Sequence, residues 1–480
     1  MSTSNRDLAK EFLSTGSGKL GTALFIMLLA ISVFVIATYP LDFGTRIWSN
    51  PKVWEDNPKA VPPIWINAFD DFARAEHRVF VLTEPSSARV LGGGMELIYS
   101  FGFDYTADEF PSFLSFTINE VRYFQDPPFV TLSMVRPDNT EVIIYRELVT
   151  GPRQDEVLPI IRYKDSPKRV NLGGASLVET NVARFLEDIL MRDVSTREVE
   201  GKIEEILLGS IAAGEQLESL EVLKGEYLMR VRFVTFDQRD STEGVKFVLG
   251  GSVFGLMGTD IIGRDLMVGL LYGFPVALGI GIITAVLTTT IGTIGGIVSG
   301  YVGGKTDTAL QRTSDILSNI PLLPLLIFLI FILGPRLWLV VVVLIIFGWP
   351  GLTIIVRSMV LQLRSGQSVE AARALGASRS RIMSKHLFPQ IAPFIFAQMV
   401  FTVPGAILAE AGLSFLGLGD PSIPTWGQLL QSGFTSGAVY IGLWWWVLPP
   451  GLLIVLTAMI FVFLALGVEP VINPKLRRVA

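Results

Sequence analysis

The sequence predicts a multi-span α-helical membrane protein: six transmembrane helices, with a large β-rich domain inserted between the first and second. Three observations lead there. Of 480 residues, 50% are hydrophobic and only 17% charged, against roughly 25% charged in soluble proteins. The apolar residues gather in runs long enough to cross a hydrocarbon core about 30 Å thick. Charge is segregated along the chain: residues 41–255 hold 23 basic and 34 acidic side chains, and the remainder 16 and 10, which together give the formal charge of −5.

The first span is expected over Leu20–Tyr39, after a tail of residues 1–19. Ala37-Thr38-Tyr39 is not the small-x-small site that signal cleavage requires, so residues 20–40 read as an uncleaved anchor. The second span lies within the uncharged stretch Leu266–Gly304, the third over Ile316–Leu333 and the fourth over Leu337–Val356, with Gly334-Pro335-Arg336 as the turn between. Ile391–Ala409 and Trp445–Val468 complete the six.

Basic residues orient the chain. Arg6, Lys10 and Lys19 precede the first span, Lys305 and Arg312 follow the second, six basic residues from Arg357 to Lys385 follow the fourth, and Lys475, Arg477 and Arg478 close the sequence. Both termini are therefore expected in the cytoplasm, and residues 41–255 outside it.

Within 41–255 apolar residues recur at every second position, as in half-buried strands. Leu114, Phe116 and Ile118 form one set, Val130, Leu132 and Met134 another, Met229, Val231 and Phe233 a third. Pro137-Asp138-Asn139-Thr140 reads as a hairpin turn, and Ser176–Leu223 as a helical insertion. A β-sandwich is one arrangement that fits.

Several chemistries are excluded. The chain has no cysteine and two histidines, His77 and His386, so thiol catalysis and Cys-based metal sites are out and a His-built site is disfavoured. Net acidity gives no nucleic-acid footprint. Gly300–Thr306 imitates a phosphate-binding loop, but Ser299 stands where its first glycine belongs, and the stretch follows an apolar span instead of a strand. Gly92-Gly93-Gly94 reads as a plain loop. The glycines at 292, 296, 300 and 304 read as close helix packing. Asp315 and Glu410 are expected near span ends, solvated at the interface, so deep carboxylates of the kind an ion-coupled carrier uses are missing.

The functional signal lies in the loop 357–389. Val369-Glu370-Ala371-Ala372-Arg373-Ala374-Leu375-Gly376 and Ser378–Pro389 read as two short helices hinged at Gly376. Ser368 and Ser378 are the candidate caps, and Glu370 suits the positive end of the first helix. Ile382, Met383 and Leu387 make an apolar face flanked by Arg379, Arg381 and Lys385. Taken alone, that face also fits a basic helix lying on anionic lipid.

These residues resemble the permease subunits of ATP-binding cassette importers, whose hallmark is Glu-Ala-Ala, three residues, Gly and a later apolar-Pro ending. Glu370, Ala371, Ala372, Gly376 and Pro389 match it. His386, where the general pattern has Ile, is typical of the dipeptide/oligopeptide/nickel branch. Three further stretches resemble the C-type subunit of that branch: Gly258-Thr259-Asp260 with Gly263-Arg264-Asp265, Gly300–Gly304 leading to Asp307, and Leu413–Gly419 with Trp426-Gly427. Val268-Gly269 departs from the family's Ser-Arg, and the 41–255 insert is far longer than usual.

The resemblance implies an importer permease fold over 256–480 and half of a pathway for peptides or similar solutes such as oligosaccharides. It implies a heterodimer with a second permease subunit, two cytoplasmic ATPases carrying the ATP and magnesium, an extracytoplasmic binding protein, and no cofactor or catalysis on this chain. Coupling to the ATPases would fall to Glu370, Ala371, Ala372, Gly376, Arg379, Ile382, Met383, His386 and Pro389. A membrane-anchored receptor and an ion-coupled secondary carrier are the alternatives.

Overall fold

A computed structural model describes residues 12–211, 217 and 220–472. The basic residues Arg6, Lys10, Lys475, Arg477 and Arg478, used above for orientation, lie outside the described residues. The chain divides into two compact units, one of residues 52–265 and one combining residues up to 51 with those from 266 onward.

Among the described residues, the 52–265 unit forms three antiparallel sheets. One runs, in spatial order, Arg78–Leu82, Val245–Gly250, Phe113–Ile118, Lys168–Asn171; the second Ser87–Leu91, Gly94–Tyr105, Gly225–Val234, Phe129–Val135, Glu141–Leu148. Phe80 and Phe247 of the first sheet meet Phe101 of the second, with ring centroids 4.7 and 5.6 Å apart, so the two sheets close on one aromatic core. Alternation is kept in Gly225–Val234, where Met229, Val231 and Phe233 are buried and Arg230 and Arg232 exposed. It fails in Phe113–Ile118, because Ser115 and Thr117 are buried along with Leu114, Phe116 and Ile118. This strand lies inside its sheet, between two neighbours, and both its faces are covered. The expected turn at Pro137–Thr140 joins two paired strands, with Asn139 at φ 63°, and Gly92-Gly93-Gly94 reverses the chain between two others.

Ser176–Leu223 is not one helix. It breaks into Ser176–Leu190, Thr196–Val199 and Ile203–Leu208, and parts of 212–219 lie outside the described residues. Met191 ends the first piece in the left-handed region, and Ser195 with Glu198 starts the second through a capping box. The Gly258–Asp265 motif is a closed loop: Asp260, wholly buried, accepts the amides of Ile262 and Arg264 at 2.9 Å and pairs with the Arg264 guanidinium.

His77 gives this unit a pH signature. Burial lowers its pKa to about 4, against the opposing pull of Asp56, and its Nδ1 has no protein partner. An unfolded chain would protonate it near 6.5. The folded unit therefore loses stability as pH falls from about 6.5 towards 4, where the unfolded state binds the extra proton. Glu204, raised by burial, works the other way at the acidic end. Glu156 and Asp237, held down to about 2 by Arg162 and Arg239, add a loss of the same sign as His77 that sets in below about pH 5. Thermal melts of a 52–265 fragment should show the midpoint dropping as pH falls from 6.5 to 5, and His77→Phe should flatten that part of the slope. An unchanged slope would remove His77 as the cause.

The helices of the other unit are labelled α1–α10. They are α1 (Gly16–Thr38), α2 (Leu266–Val302), α3 (Gly304–Asn319), α4 (Leu322–Leu333), α5 (Leu337–Leu363), α6 (Gln367–Ala374), α7 (Arg379–Ile382), α8 (Phe388–Phe415), α9 (Trp426–Thr435) and α10 (Trp444–Ile472). Among the described residues, five helical stretches are long and apolar enough to cross a membrane: α1, α2, α5, the run containing α7 and α8, and α10.

The expected third span is broken: α3 and α4 meet at 80°, and only as a bent pair do they reach spanning length. Pro321 has no N–H to donate and forces the residue before it out of the helical region; Ile320 stands at ψ 124°. The fourth span also runs on, to Leu363 instead of Val356.

Small residues let these helices close. Gly21 of α1 faces the α10 backbone at Phe463–Leu464, and along α2 a Cβ on Gly292, Gly296 or Gly300 would strike α5 at 2.5–3.0 Å. The glycine repeat is thus a packing seam except at Gly304, which faces open space. At Val268-Gly269, where the sequence departs from the family, the Trp48 ring fills the space over Gly269.

Candidate coupling site

After α5, the chain folds as helix, glycine turn and helix. The residue before α6 is Gly366, so Ser368 sits within the first turn and caps nothing. At the far end the helix closes with a Schellman turn: Ala377 N–H donates to Ala372 O and Gly376 N–H to Arg373 O, both at 3.0 Å. Gly376 carries φ +77°, the left-handed position that glycine alone takes without steric cost. The Ser378 hydroxyl then accepts the Arg381 amide at 3.4 Å and starts α7. A π-helical turn over Met383–Leu387 carries the chain into α8, with Pro389 in its first turn.

The helix pair has a buried face and an open one. Val369, Ala372, Ile382 and Leu387 are buried against Ile297, Val356, Val360 and Ile391, and Met383 packs on the same cluster. Glu370, Ala371, Gly376, Arg379 and Pro389 are exposed, and His386 is half-buried. The nine sequence-selected residues therefore divide. Ala372, Ile382 and Met383 hold the pair onto α2, α5 and α8, so the apolar face read as a contact surface is instead the anchor.

Sequence reasoning missed Leu375, which projects from the turn with 88% of its surface exposed. Its only signal in the sequence was a leucine standing directly before the hinge glycine Gly376.

A clamp braces the base of this loop. Arg357 grips Asp307 with two hydrogen bonds of 2.6 Å, Nε to Oδ1 and Nη2 to Oδ2. The Ser299 hydroxyl also donates to Asp307, and Gln311 donates to Ser299 at 3.1 Å. The Gly300–Asp307 motif thus ties α2, α3 and α5 together. The Leu413–Gly427 motif pins α9 to α2, where the Trp426 Nε1 donates to Leu270 O at 2.9 Å, while Ser414 donates to Glu410 within α8 at 2.6 Å. Glu410, expected at a solvated span end, is only 3% exposed. It sits on the covered side of α8, where Ser414 and Thr425 supply the hydrogen bonds that water would give.

Apolar helices of spanning length, interlocked by glycines and carrying an anchored, surface-presented helix pair, define a multi-pass membrane protein. Residues 292–478 match the family of binding-protein-dependent transport system inner membrane components. The dipeptide transport system permease protein DppC of Bacillus subtilis is 38% identical over 222 residues, 46% of this chain and 69% of that protein. The oligopeptide permease OppC of the same organism is 37% identical over 222 residues, 46% of this chain and 72% of that protein. OppC of Escherichia coli K12 is 38% identical over 219 residues, 45% and 72% of the two chains. Among solved structures, the inward-facing MetNI methionine ABC transporter aligns at 21% identity over 43% of this chain and 96% of that one, with a TM-score of 0.35, too low to bear on the fold. This chain belongs to the family of binding-protein-dependent transport system inner membrane components.

Proposed function

We infer that this chain is a permease subunit of an ATP-binding cassette importer for peptides or similar solutes such as oligosaccharides. It would form half of the pathway and pair with a second permease subunit. Two cytoplasmic ATPases would hold the ATP and magnesium, and an extracytoplasmic binding protein would deliver the solute. The observation that carries the reading is the exposed Leu375–Gly376 tip on a helix pair anchored to three membrane helices. Such a tip suits a groove on a partner, and its anchor lets a push on the tip move α2, α5 and α8 together. Two conformations with different partner contacts then give alternating access.

In this reading α3 and α4 together make a sixth crossing, both termini are cytoplasmic, and the 52–265 unit lies outside. That unit would help receive cargo from the binding protein. The direct test is copurification of an ATPase with this chain, followed by ATP-dependent peptide uptake into proteoliposomes. Isolation without any ATPase would favour an anchored receptor. Replacing 52–265 by a short Gly-Ser linker should lower uptake and leave ATPase copurification unchanged; normal uptake would remove the receiving role.

A further inference from the structure

A cavity of about 400 Å³ lies between α2, α5 and α8. It falls near the middle of the 27-residue α5, at Gly348 and Gly351, and of the 28-residue α8, at Gln398 and Thr402. Among the described residues, nothing ionisable lines it.

Its threonines are of two kinds. A hydroxyl inside a membrane helix normally bonds the carbonyl four residues back, since hydrocarbon offers no other partner. Thr289 does so to Ala285 at 2.6 Å, and Thr402 to Gln398 at 2.8 Å. Thr284 and Thr288 do not. They are 3% and 5% exposed, they line the cavity one helical turn apart, and neither Oγ1 has a partner among the described residues. An unpaired buried hydroxyl is costly; Thr293 of the same helix shares that state away from the cavity, and what sets Thr284 and Thr288 apart is that both line the space. The opposite walls keep room for it: a Cβ on Gly351 or Gly405 would touch nothing within 4 Å.

We propose that Thr284 and Thr288, with Gln398 in the lining of the same cavity, form a hydrogen-bonding station for the main-chain amides of a peptide in transit. The inference rests on the importer reading above. Hydroxyls donate to carbonyl oxygens and accept from amide N–H groups, and a side-chain amide does both. A neutral set of this kind reads the repeating backbone and ignores the charge of the solute's side chains.

The test uses the complete transporter in proteoliposomes with radiolabelled tetra-alanine. Thr284→Val with Thr288→Val keeps the shape and removes both hydroxyls. It should cut uptake at least tenfold while ATPase copurification and basal hydrolysis stay at the wild-type level. Thr289→Val, whose hydroxyl is already bonded to backbone, should stay within twofold. Gly351→Leu, filling the space, should block uptake. Wild-type uptake by the double valine variant overturns the station, as does equal damage from Thr289→Val, which would mean packing alone. Wild-type vesicles that import a labelled oligosaccharide but no peptide overturn the choice of main-chain amides while leaving the importer reading intact. No ATP-dependent uptake of either solute by the wild type sinks both.

Discussion

Replacing Gly376 with Trp will uncouple ATP hydrolysis from transport while leaving the protein inserted in the membrane. The backbone there has φ +77°, and any L-residue in that region pays about 1–2 kcal/mol. That alone is roughly a tenfold effect, which Gly376→Ala isolates. No atom lies within 4 Å of an added Cβ, so the chain itself accepts bulk at this point. Any loss beyond the alanine value therefore reports a partner pressed against the turn. Leu375→Asp should match the Trp variant, because it puts a charge where an apolar side chain, 88% exposed in this chain, would be covered by that partner. Glu370→Ala should do less, as a helix-end charge is worth roughly 0.3–1 kcal/mol. A basic helix resting on lipid would invert the order, and Arg379→Ala with Arg381→Ala would then hurt most. Solute-stimulated ATP hydrolysis and uptake by the reconstituted complex separate the two; full coupling in Gly376→Trp would sink the reading of this tip as the contact with the ATPase.

Gly296→Leu will prevent recovery of folded protein. Its Cβ would stand 2.5 Å from the Val356 Cβ and 2.8 Å from the Thr353 carbonyl, and the latter is backbone that cannot swing aside. Overpacking a tight seam costs about 1–3 kcal/mol even when neighbours relax, and here α5 would have to move bodily off α2. The same helix supplies its own control. Gly279 has nothing within 4 Å of its Cβ, so Gly279→Leu should be neutral. The readout is the monodisperse fraction in detergent and its thermal midpoint. Equal values for the two variants would mean that α2 and α5 do not pack through this stripe.

The amino-acid order alone determined what depends on neighbours along the chain. Apolar run length announced α1, α2, α5, α8 and α10, since crossing hydrocarbon is a requirement on consecutive residues. The helix–turn–helix at 367–387 was legible because Gly376 and Ser378 act on backbone only a few residues away. Even the break at Pro321 had a local cause, outweighed in the reading by the apolar residues around it. Only tertiary structure decided which face of a helix another element covers. It turned Ile382 inward and left Leu375 outside, buried Glu410 beneath Thr425, joined Asp307 to an arginine 50 positions away, and left Thr284 and Thr288 without the bond that Thr289 makes. Composition reports how much of a helix must be hidden. The direction from which the cover arrives depends on packing among helices distant in sequence, and a one-dimensional pattern holds no record of that direction.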